Sequence, residues 1–300
     1  MKILGLLTLA LCFTLALCFI TGKLLTRRIE TEPRALAPWD PETSFLSTRS
    51  GRVHILDVGR GDVILLVHGS GRSVADWQEG LADRLATSYR VVAFDSYGFG
   101  LSDRSHPFEY GNALWARQAI DVLDALKIQR AVVLGHSAGG VVAAFLAADH
   151  PERFRGAVFV GHGLAIDTMQ MIPLLPGIGE LSLARTSVFG DTFSERHRSK
   201  VEAAYRIRGT RAALLTFIRR QYTVDSLRLL GGTYEDIEIP ILQMHGTLDE
   251  SIPIEAARDL TSRLVHARFV AIDGSSHDVH IDASDRLAEE VAVFAESLPP

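Results

Sequence analysis

A serine lies at the centre of a glycine-flanked pentapeptide, Gly-His-Ser-Ala-Gly at residues 135–139. The apolar run Ala131–Leu134 before it predicts a strand, and the apolar run Val141–Ala148 after it predicts a helix. A serine in a sharp strand-to-helix turn has its hydroxyl exposed, where it can act as a nucleophile. The segment therefore predicts Ser137 as the nucleophile of an acyl transfer. The alternative is an ordinary turn that contains a serine.

A histidine follows the last apolar run of the chain, Phe269–Ile272, after the turn Gly274–Ser276. An imidazole titrates near neutral pH, so it can take a proton from a hydroxyl and later return it. We predict His277 as this base, with His280 as the alternative three residues later. The two histidines could also be interpreted as a metal pair, but no cysteine or carboxylate cluster accompanies them, and we predict no metal site.

An aspartate follows the apolar run Ile241–Met244, at the end of the segment Gly-Thr-Leu-Asp. A carboxylate just past the carboxyl end of a strand can fix the tautomer of a histidine and stabilise the imidazolium. We predict this acid to be Asp249, with Glu250 and Asp273 as local competitors. Asp249 could instead be a turn or N-cap residue before the helix predicted over residues 254–265.

The glycine-rich loop His-Gly-Ser-Gly at residues 68–71 follows the apolar run Val63–Val67. Such a loop can direct a backbone N–H at a reacting carbonyl oxygen. We predict an oxyanion hole formed by the amides of Ser70 and Ala138, where losing one donor costs other enzymes about 3–4 kcal/mol. A plain tight turn is the alternative, because this short pattern is not specific.

Seven apolar runs, separated by helical patterns, must position these residues. Continuous runs of this kind are typical of strands buried on both faces of a parallel sheet. The runs are Val53–Val58, Val63–Val67, Val91–Phe94, Ala131–Leu134, Ala157–Val160, Ile241–Met244 and Phe269–Ile272. The alternation predicts an α/β fold with a doubly wound, mostly parallel sheet. Its core comprises residues 50–161 and 237–300, and a helical cap, residues 162–236, covers the carboxyl edge of the sheet.

Taken together, these motifs resemble the α/β-hydrolase superfamily over residues 50–298. The chain order Ser137, Asp249, His277 is the nucleophile, acid and base order of that family. The glycine-rich turn Asp95–Asp103 also resembles a family feature that shapes the floor of the site. The resemblance implies the α/β-hydrolase fold and an esterase-like or lipase-like serine hydrolase that needs no cofactor.

Departures from family patterns narrow the expected reaction. Haloalkane dehalogenases and epoxide hydrolases of this superfamily use an aspartate nucleophile and a proline-closed loop, whereas this chain has Ser137 and Gly71. The loop is similar to that of carbon–carbon bond hydrolases of ring-cleavage products, but those usually carry asparagine in place of His136. Many esterases, lipases and cofactor-free perhydrolases share Gly-His-Ser-x-Gly-Gly. The resemblance implies ester cleavage of a small acyl substrate, with carbon–carbon hydrolysis or perhydrolysis as the alternative.

The N-terminal segment contains an uncharged run, Ile3–Gly22, between Lys2 and Lys23. As a helix it spans about 30 Å, which matches the hydrocarbon thickness of a bilayer. Because no small-x-small cleavage site ends the run, we predict a single-span membrane anchor at residues 1–25. A cleaved signal peptide, giving a secreted or periplasmic protein, is the alternative, and the membrane side stays open. Residues 26–49, which contain three prolines, predict a linker.

The composition excludes several other classes. Hydrophobic residues make up 47% and charged residues 22%, as in ordinary globular chains, and the net charge of −5 disfavours nucleic-acid binding. Cys12 and Cys18 both lie in the N-terminal apolar run, so the rest of the chain cannot form disulfides or cysteine-based sites. The sequence gives no oligomeric state.

The predicted cap is basic in an otherwise acidic chain. Residues 185–220 hold nine Lys or Arg against three Asp or Glu. This pattern fits a solvated helical surface. It also fits a cap that faces an anionic bilayer and admits lipophilic substrates.

Overall fold

An eight-stranded sheet forms the centre of the protein. The computed structural model describes residues 2–31, 43–106, 108–164, 173–185 and 194–299. The strands are β1 (Thr43–Thr48), β2 (Gly51–Gly59), β3 (Val63–Val67), β4 (Arg90–Phe94), β5 (Ala131–His136), β6 (Phe154–Val160), β7 (Ile241–Gly246) and β8 (Ala267–Ile272). Their spatial order is β1-β2-β4-β3-β5-β6-β7-β8. The pairs β1–β2 and β2–β4 are antiparallel and the other five pairs are parallel.

The described helices pack on both faces of this sheet or, for the first helix and those between β6 and β7, against other helices and loops. They are α1 (Lys2–Ile29), α2 (Leu81–Leu85), α3 (Asn112–Ala125), α4 (Ala138–Asp149), α5 (Ile178–Arg185), α6 (Glu195–Tyr205), α7 (Thr210–Arg220), α8 (Ser226–Arg228), α9 (Ile254–Arg263), α10 (Val279–Asp282) and α11 (Ser284–Ser297). Trp115, Ala119 and Val122 lie on the buried face of α3 at i, i+4 and i+7, the spacing of one face of an amphipathic helix.

Two apolar cores result from the period-two geometry of the strands. In β5, Ala131 and Val133 join the core that contains α3 and α4. Val132 and Leu134 point to the opposite face and join the core that contains α2 and α11. Because both faces are buried, the strand reads as a continuous apolar run rather than as an alternating one. This geometry explains why simple apolar runs located β2 to β8.

The strand β1 was not expected. It lies within residues 26–49, where the sequence predicted a linker, and that prediction is wrong for Thr43–Thr48. Its six residues pair with β2 in antiparallel register, from Thr43 opposite Leu56 to Thr48 opposite Gly51. A short edge strand gains its stability from this pairing, so its own residues carry a weak signal. The three prolines of the predicted linker lie outside the described residues.

The described helices between β6 and β7 lie over the carboxyl ends of the neighbouring strands. Tyr205 of α6 donates a hydrogen bond to the carbonyl of Gly71, with an oxygen–oxygen distance of 2.9 Å. Phe217 of α7 stacks on Trp115 with ring centroids 4.4 Å apart. These contacts put α6 above the loop that follows β3 and α7 against α3, and a second ring contact joins Phe217 to Phe99 in the loop after β4. We call α5 to α8 the cap helices.

The helix α1 is the one described helix that is long and apolar enough to cross a membrane. A signal sequence or a buried helix of a soluble protein can meet the same criteria of length and composition. The helix packs against α5 of the cap helices, and from Thr8 onward most of its other side chains are exposed.

Candidate active site

Ser137 lies in a strained turn between β5 and α4. Its φ of 52° and ψ of −116° are a conformation that residues with a side chain rarely adopt. A Cβ at Gly135 would lie 2.0 Å from the carbonyl oxygen of Gly139, and one at Gly139 would lie 2.2 Å from that of Val67. Glycine is therefore needed on both sides, because strand and helix meet at backbone contact distance. The turn holds the serine at the carboxyl edge of the sheet.

Asp249 and His277 are brought together at the same edge. The Nδ1 atom of His277 lies 2.8 Å from Oδ2 of Asp249, whose side chain is fully buried. The other carboxylate oxygen accepts hydrogen bonds from the amides of Ser251 and Ile252, both at 2.8 Å. The aspartate is thus fixed by backbone donors and receives the histidine from the loop after β8.

Electrostatics keep this carboxylate charged. Burial by itself would raise the pKa of Asp249, but hydrogen bonds from His245 and His277 outweigh it and hold the pKa well below the usual value. An ionised acceptor requires the proton of His277 to reside on Nδ1. The lone pair of Nε2 is then available to accept a proton.

The loop of His277 packs against the serine turn. The rings of His136 and His277 have centroids 4.9 Å apart, and Nε2 of His136 lies 3.1 Å from the carbonyl oxygen of His277. The described contacts of the Ser137 hydroxyl do not include a hydrogen bond to His277. Such bonds often shorten only when substrate binds, so the arrangement is compatible with proton transfer from Ser137.

The loop at residues 68–71 lies directly beside the serine. The amide of Ser96 donates to Nε2 of His68 at 2.9 Å, so the proton of this imidazole resides on Nδ1, which donates to the carbonyl of Gly69 at 2.7 Å. A Cβ at Gly69 would lie 3.3 Å from Cβ of Ser137. In the described part of the chain, neither the Ser70 nor the Ala138 amide donates to another group. Both amides can therefore receive an oxyanion.

The alternative acid and base residues lie elsewhere. Asp273 accepts a hydrogen bond from the hydroxyl of Thr247 at 3.2 Å rather than from a histidine. His280 is buried against Trp77, with ring centroids 4.9 Å apart, and burial holds its pKa well below the usual value. The geometry thus pairs Asp249 with His277.

His245 is a site residue that the sequence analysis missed. It lies at the end of β7, and its Nε2 is 3.1 Å from Oδ2 of Asp249 and 2.8 Å from the carbonyl oxygen of Ile252. It therefore helps to orient the same carboxylate that receives His277. Its position four residues before Asp249, on the strand that carries the aspartate, was the available signal.

A buried ion pair joins the two loops of the site. The Nη2 atom of Arg72, just after the glycine-rich loop, lies 2.8 and 2.6 Å from the two carboxylate oxygens of Asp278, next to His277. Asp278 also forms, with His136 and His280, a group whose potential metal-ligand atoms lie within 4.8 Å of one another, which the sequence did not predict. The guanidinium already occupies that carboxylate and repels cations, so the group does not favour a metal.

Known proteins are similar to this chain in sequence and in fold. Residues 62–186 match the family model of the alpha/beta hydrolase fold. A 2-hydroxymuconate semialdehyde hydrolase of Pseudomonas putida is 30% identical over 256 residues, covering 81% of this chain and 90% of that protein. The chain belongs to the α/β-hydrolase superfamily. A pimeloyl-(acyl-carrier protein) methyl ester esterase of Yersinia enterocolitica is 29% identical over 258 residues, covering 79% of this α/β hydrolase and 95% of that protein.

A solved structure agrees with the observed fold. The enol-lactonase of Burkholderia xenovorans superimposes with a TM-score of 0.68 at 21% identity, covering 85% of this α/β hydrolase and 100% of that chain. The superfamily expected from the motifs is therefore confirmed. The relatives named above are hydrolases of two kinds, so the comparisons support hydrolysis and leave open the bond that is cleaved.

Proposed function

We propose that this α/β hydrolase cleaves a carboxylic ester, or a related acyl bond, of a lipophilic substrate through Ser137, His277 and Asp249. The observation that carries the proposal is the 2.8 Å hydrogen bond between His277 and the buried Asp249 carboxylate, on a loop packed against the serine turn. A histidine oriented by a buried carboxylate beside a strained serine is suited to activating that serine.

In the proposed mechanism, Nε2 of His277 takes the proton of Ser137 Oγ as the oxygen attacks the carbonyl carbon. The amides of Ser70 and Ala138 stabilise the negative oxygen of the tetrahedral intermediate. His277 then protonates the leaving alcohol, and an ester bond to Ser137 remains. A water molecule, deprotonated by His277, attacks this acyl-enzyme, and the acid leaves as the serine regains its proton.

We also propose that α1 is a retained single-span anchor rather than a cleaved signal peptide. The helix is continuous from Lys2 to Ile29, and Gly22 lies in backbone contact with α5. Cleavage inside the apolar run would remove part of this packing. A membrane-bound hydrolase meets substrates that partition into the bilayer, which supports the lipophilic substrate class.

Carbon–carbon bond hydrolysis is the second candidate. It is favoured by the Pseudomonas putida relative, a 2-hydroxymuconate semialdehyde hydrolase, at 30% identity. The residue before the nucleophile points the other way, because His136 stands where ring-cleavage hydrolases usually carry asparagine. Perhydrolysis with the same residues is a further alternative.

The test is turnover by the full chain in detergent micelles, with Ser137→Ala as the matched control. Esters of graded acyl length and a vinylogous 1,5-diketone are offered separately, and peroxide-dependent halogenation is measured in parallel. We expect ester hydrolysis that rises with acyl length and disappears in the variant. Turnover of the diketone without ester cleavage would instead support carbon–carbon hydrolysis, and halogenation alone would support perhydrolysis.

A further inference from the structure

The apolar helix α1 makes extensive contact with the cap helices. A Cβ at Gly22 would lie 2.5 Å from the backbone carbon of Glu180, and a Cβ at Gly177 would lie 2.3 Å from the carbonyl oxygen of Leu15. Two glycines thus allow α1 and the start of α5 to meet at backbone distance. The less exposed residues of α1, at positions 15, 18, 21, 22, 25 and 26, recur at helical spacing and form one side of the helix toward the cap.

A second contact fixes the end of α1. Glu30, with a relative exposure of 6%, accepts hydrogen bonds from the amides of Gly209 at 2.8 Å and Arg211 at 2.6 Å. These amides belong to the first turn of α7, so the carboxylate caps that helix and interacts favourably with its dipole. The guanidinium of Arg211 lies 3.8 Å from the same carboxylate. The cap helices therefore contact α1 or the residue that follows it at three positions along the chain, which are Leu15, Gly22 and Glu30.

The opposite faces of α1 are apolar and exposed. Leu9, Phe13 and Leu17 have relative exposures of 69%, 71% and 54%. A contiguous apolar surface of this kind is not stable in water and indicates a membrane or protein contact. The exposed cations Lys23, Arg27 and Arg28 follow at the end of the helix, where they suit anionic lipid headgroups.

The segment just before α5 lies beside the apolar part of α1, which precedes these cations in the helix. Gly177 contacts Leu15, which is eight residues, or about 12 Å of helix, before Lys23. Leu175, with a relative exposure of 52%, is two residues from that contact. The depth of about 12 Å is slightly greater than the depth of about 5–10 Å that interfacial segments with a buried apolar face reach. The one carboxylate here, Glu180, is paired with Arg219 at 3.4 Å and accepts from the amide of Gly177.

We propose that the segment Pro173–Gly177 and the start of α5 insert into the lipid bilayer beside α1, so that the cap is a membrane-embedded lid. The proposal rests on the anchor function of α1 proposed above, but not on the chemistry at Ser137. It places the cap helices at the membrane surface. A lipophilic acyl substrate would then reach the catalytic edge from the bilayer without crossing water.

The test uses the full chain in liposomes that contain anionic phospholipid. Cys12 and Cys18 are replaced by alanine, and a nitroxide label is attached to Leu175→Cys. The matched control carries the label at Val265→Cys, an exposed position just before β8 and outside the cap helices. We expect the label at residue 175 to collide with oxygen dissolved in the bilayer and to lose collisions with a water-soluble nickel chelate. The label at residue 265 should show the reverse.

A second variant tests the role of the α1–α5 contact. Gly22→Leu forces α1 away from α5, whereas Ala16→Leu adds the same bulk on an exposed face of the same helix. We expect the residue 175 label to regain nickel collisions only with Gly22→Leu.

The outcomes separate the proposals. Equal nickel accessibility at residues 175 and 265, in protein that floats with the liposomes, would overturn the embedded lid and leave the anchor intact. Protein that fails to float would overturn both. A residue 175 label shielded from oxygen and nickel alike would show that protein, such as a second copy of this chain, covers the segment, and would also overturn the proposal. Ester turnover decides the catalytic proposal independently.

Discussion

The carboxylate of Asp249 accepts several hydrogen bonds at the candidate site. It receives two backbone amides, His277 and His245, and its side chain is fully buried. These donors need a negative acceptor, because a neutral group would leave one histidine without its hydrogen bond. The orientation of His277 thus depends on a charge that the surrounding residues stabilise.

Asp249→Asn tests this dependence directly. The amide keeps the shape but offers N–H groups to Nδ1 of His277, which favours the wrong tautomer. A comparable substitution in a serine protease lowers kcat about 10⁴-fold, and we expect a loss of that order in ester turnover. Asp273→Asn is the matched control and should leave kcat unchanged. Loss of activity in the control with retention in Asp249→Asn would reassign the acid.

At the scale of elements, the ion pair between Arg72 and Asp278 joins the glycine-rich loop after β3 to the loop after β8 that carries His277. Each side chain is only 14% exposed, and the two residues are 206 positions apart in the sequence. Arg72 also lies 3.7 Å from the buried carboxylate of Asp76. Losing Arg72 therefore leaves two carboxylates without this cation, whereas losing Asp278 leaves the guanidinium with Asp76. Breaking a buried pair on one side typically costs about 3–5 kcal/mol.

A double-mutant cycle measures this link. Arg72→Met and Asp278→Leu should each lower the thermal midpoint, and the double variant should lower it by less than the sum of the two shifts. We expect kcat for ester hydrolysis to fall in all three variants, because the ion pair no longer holds the two loops in position. Strict additivity of the thermal shifts, with kcat unchanged, would show that the pair does not couple the loops.

Some parts of the site and fold could be predicted from the sequence, and others could not. Ser137 and its turn are local, because the strand, the two glycines and the helix lie within about 20 residues. β1 was missed because its stability comes from pairing with β2 rather than from its own pattern. The Arg72–Asp278 pair and the docking of α1 on α5 depend on long-range packing, which no local periodicity reports.

At the scale of the whole molecule, buried neutral histidines set the response to acid. Burial lowers the pKa of His162 to about 4, and burial also lowers the pKa of His68, His136 and His280. When the pH falls below the ordinary histidine pKa of about 6.5, these histidines bind protons in the unfolded chain but stay neutral in the folded chain. The stability that these groups contribute is present above about pH 6.5 and is lost as the pH falls below it.

His162→Gln should flatten this dependence. The variant removes one proton-binding site, and its amide can still reach the hydroxyl of Tyr234, which lies 2.7 Å from the histidine Nε2. The slope of unfolding free energy against pH below 6.5 should fall by up to about 1.4 kcal/mol per pH unit. Thermal midpoints between pH 7.5 and 5 measure it, with the half-buried His150→Gln as control. An unchanged slope in His162→Gln would contradict the prediction.

Covalent labelling by a fluorophosphonate probe tests the central claim, that Ser137 is an activated nucleophile, most directly. The full chain in detergent micelles is compared with Ser137→Ala and with Ser70→Ala, whose backbone amide, the proposed oxyanion donor, is retained. The account predicts stoichiometric labelling of the wild type and of Ser70→Ala, and none of Ser137→Ala. Labelling that persists in Ser137→Ala, or a folded wild type that does not react, would contradict it.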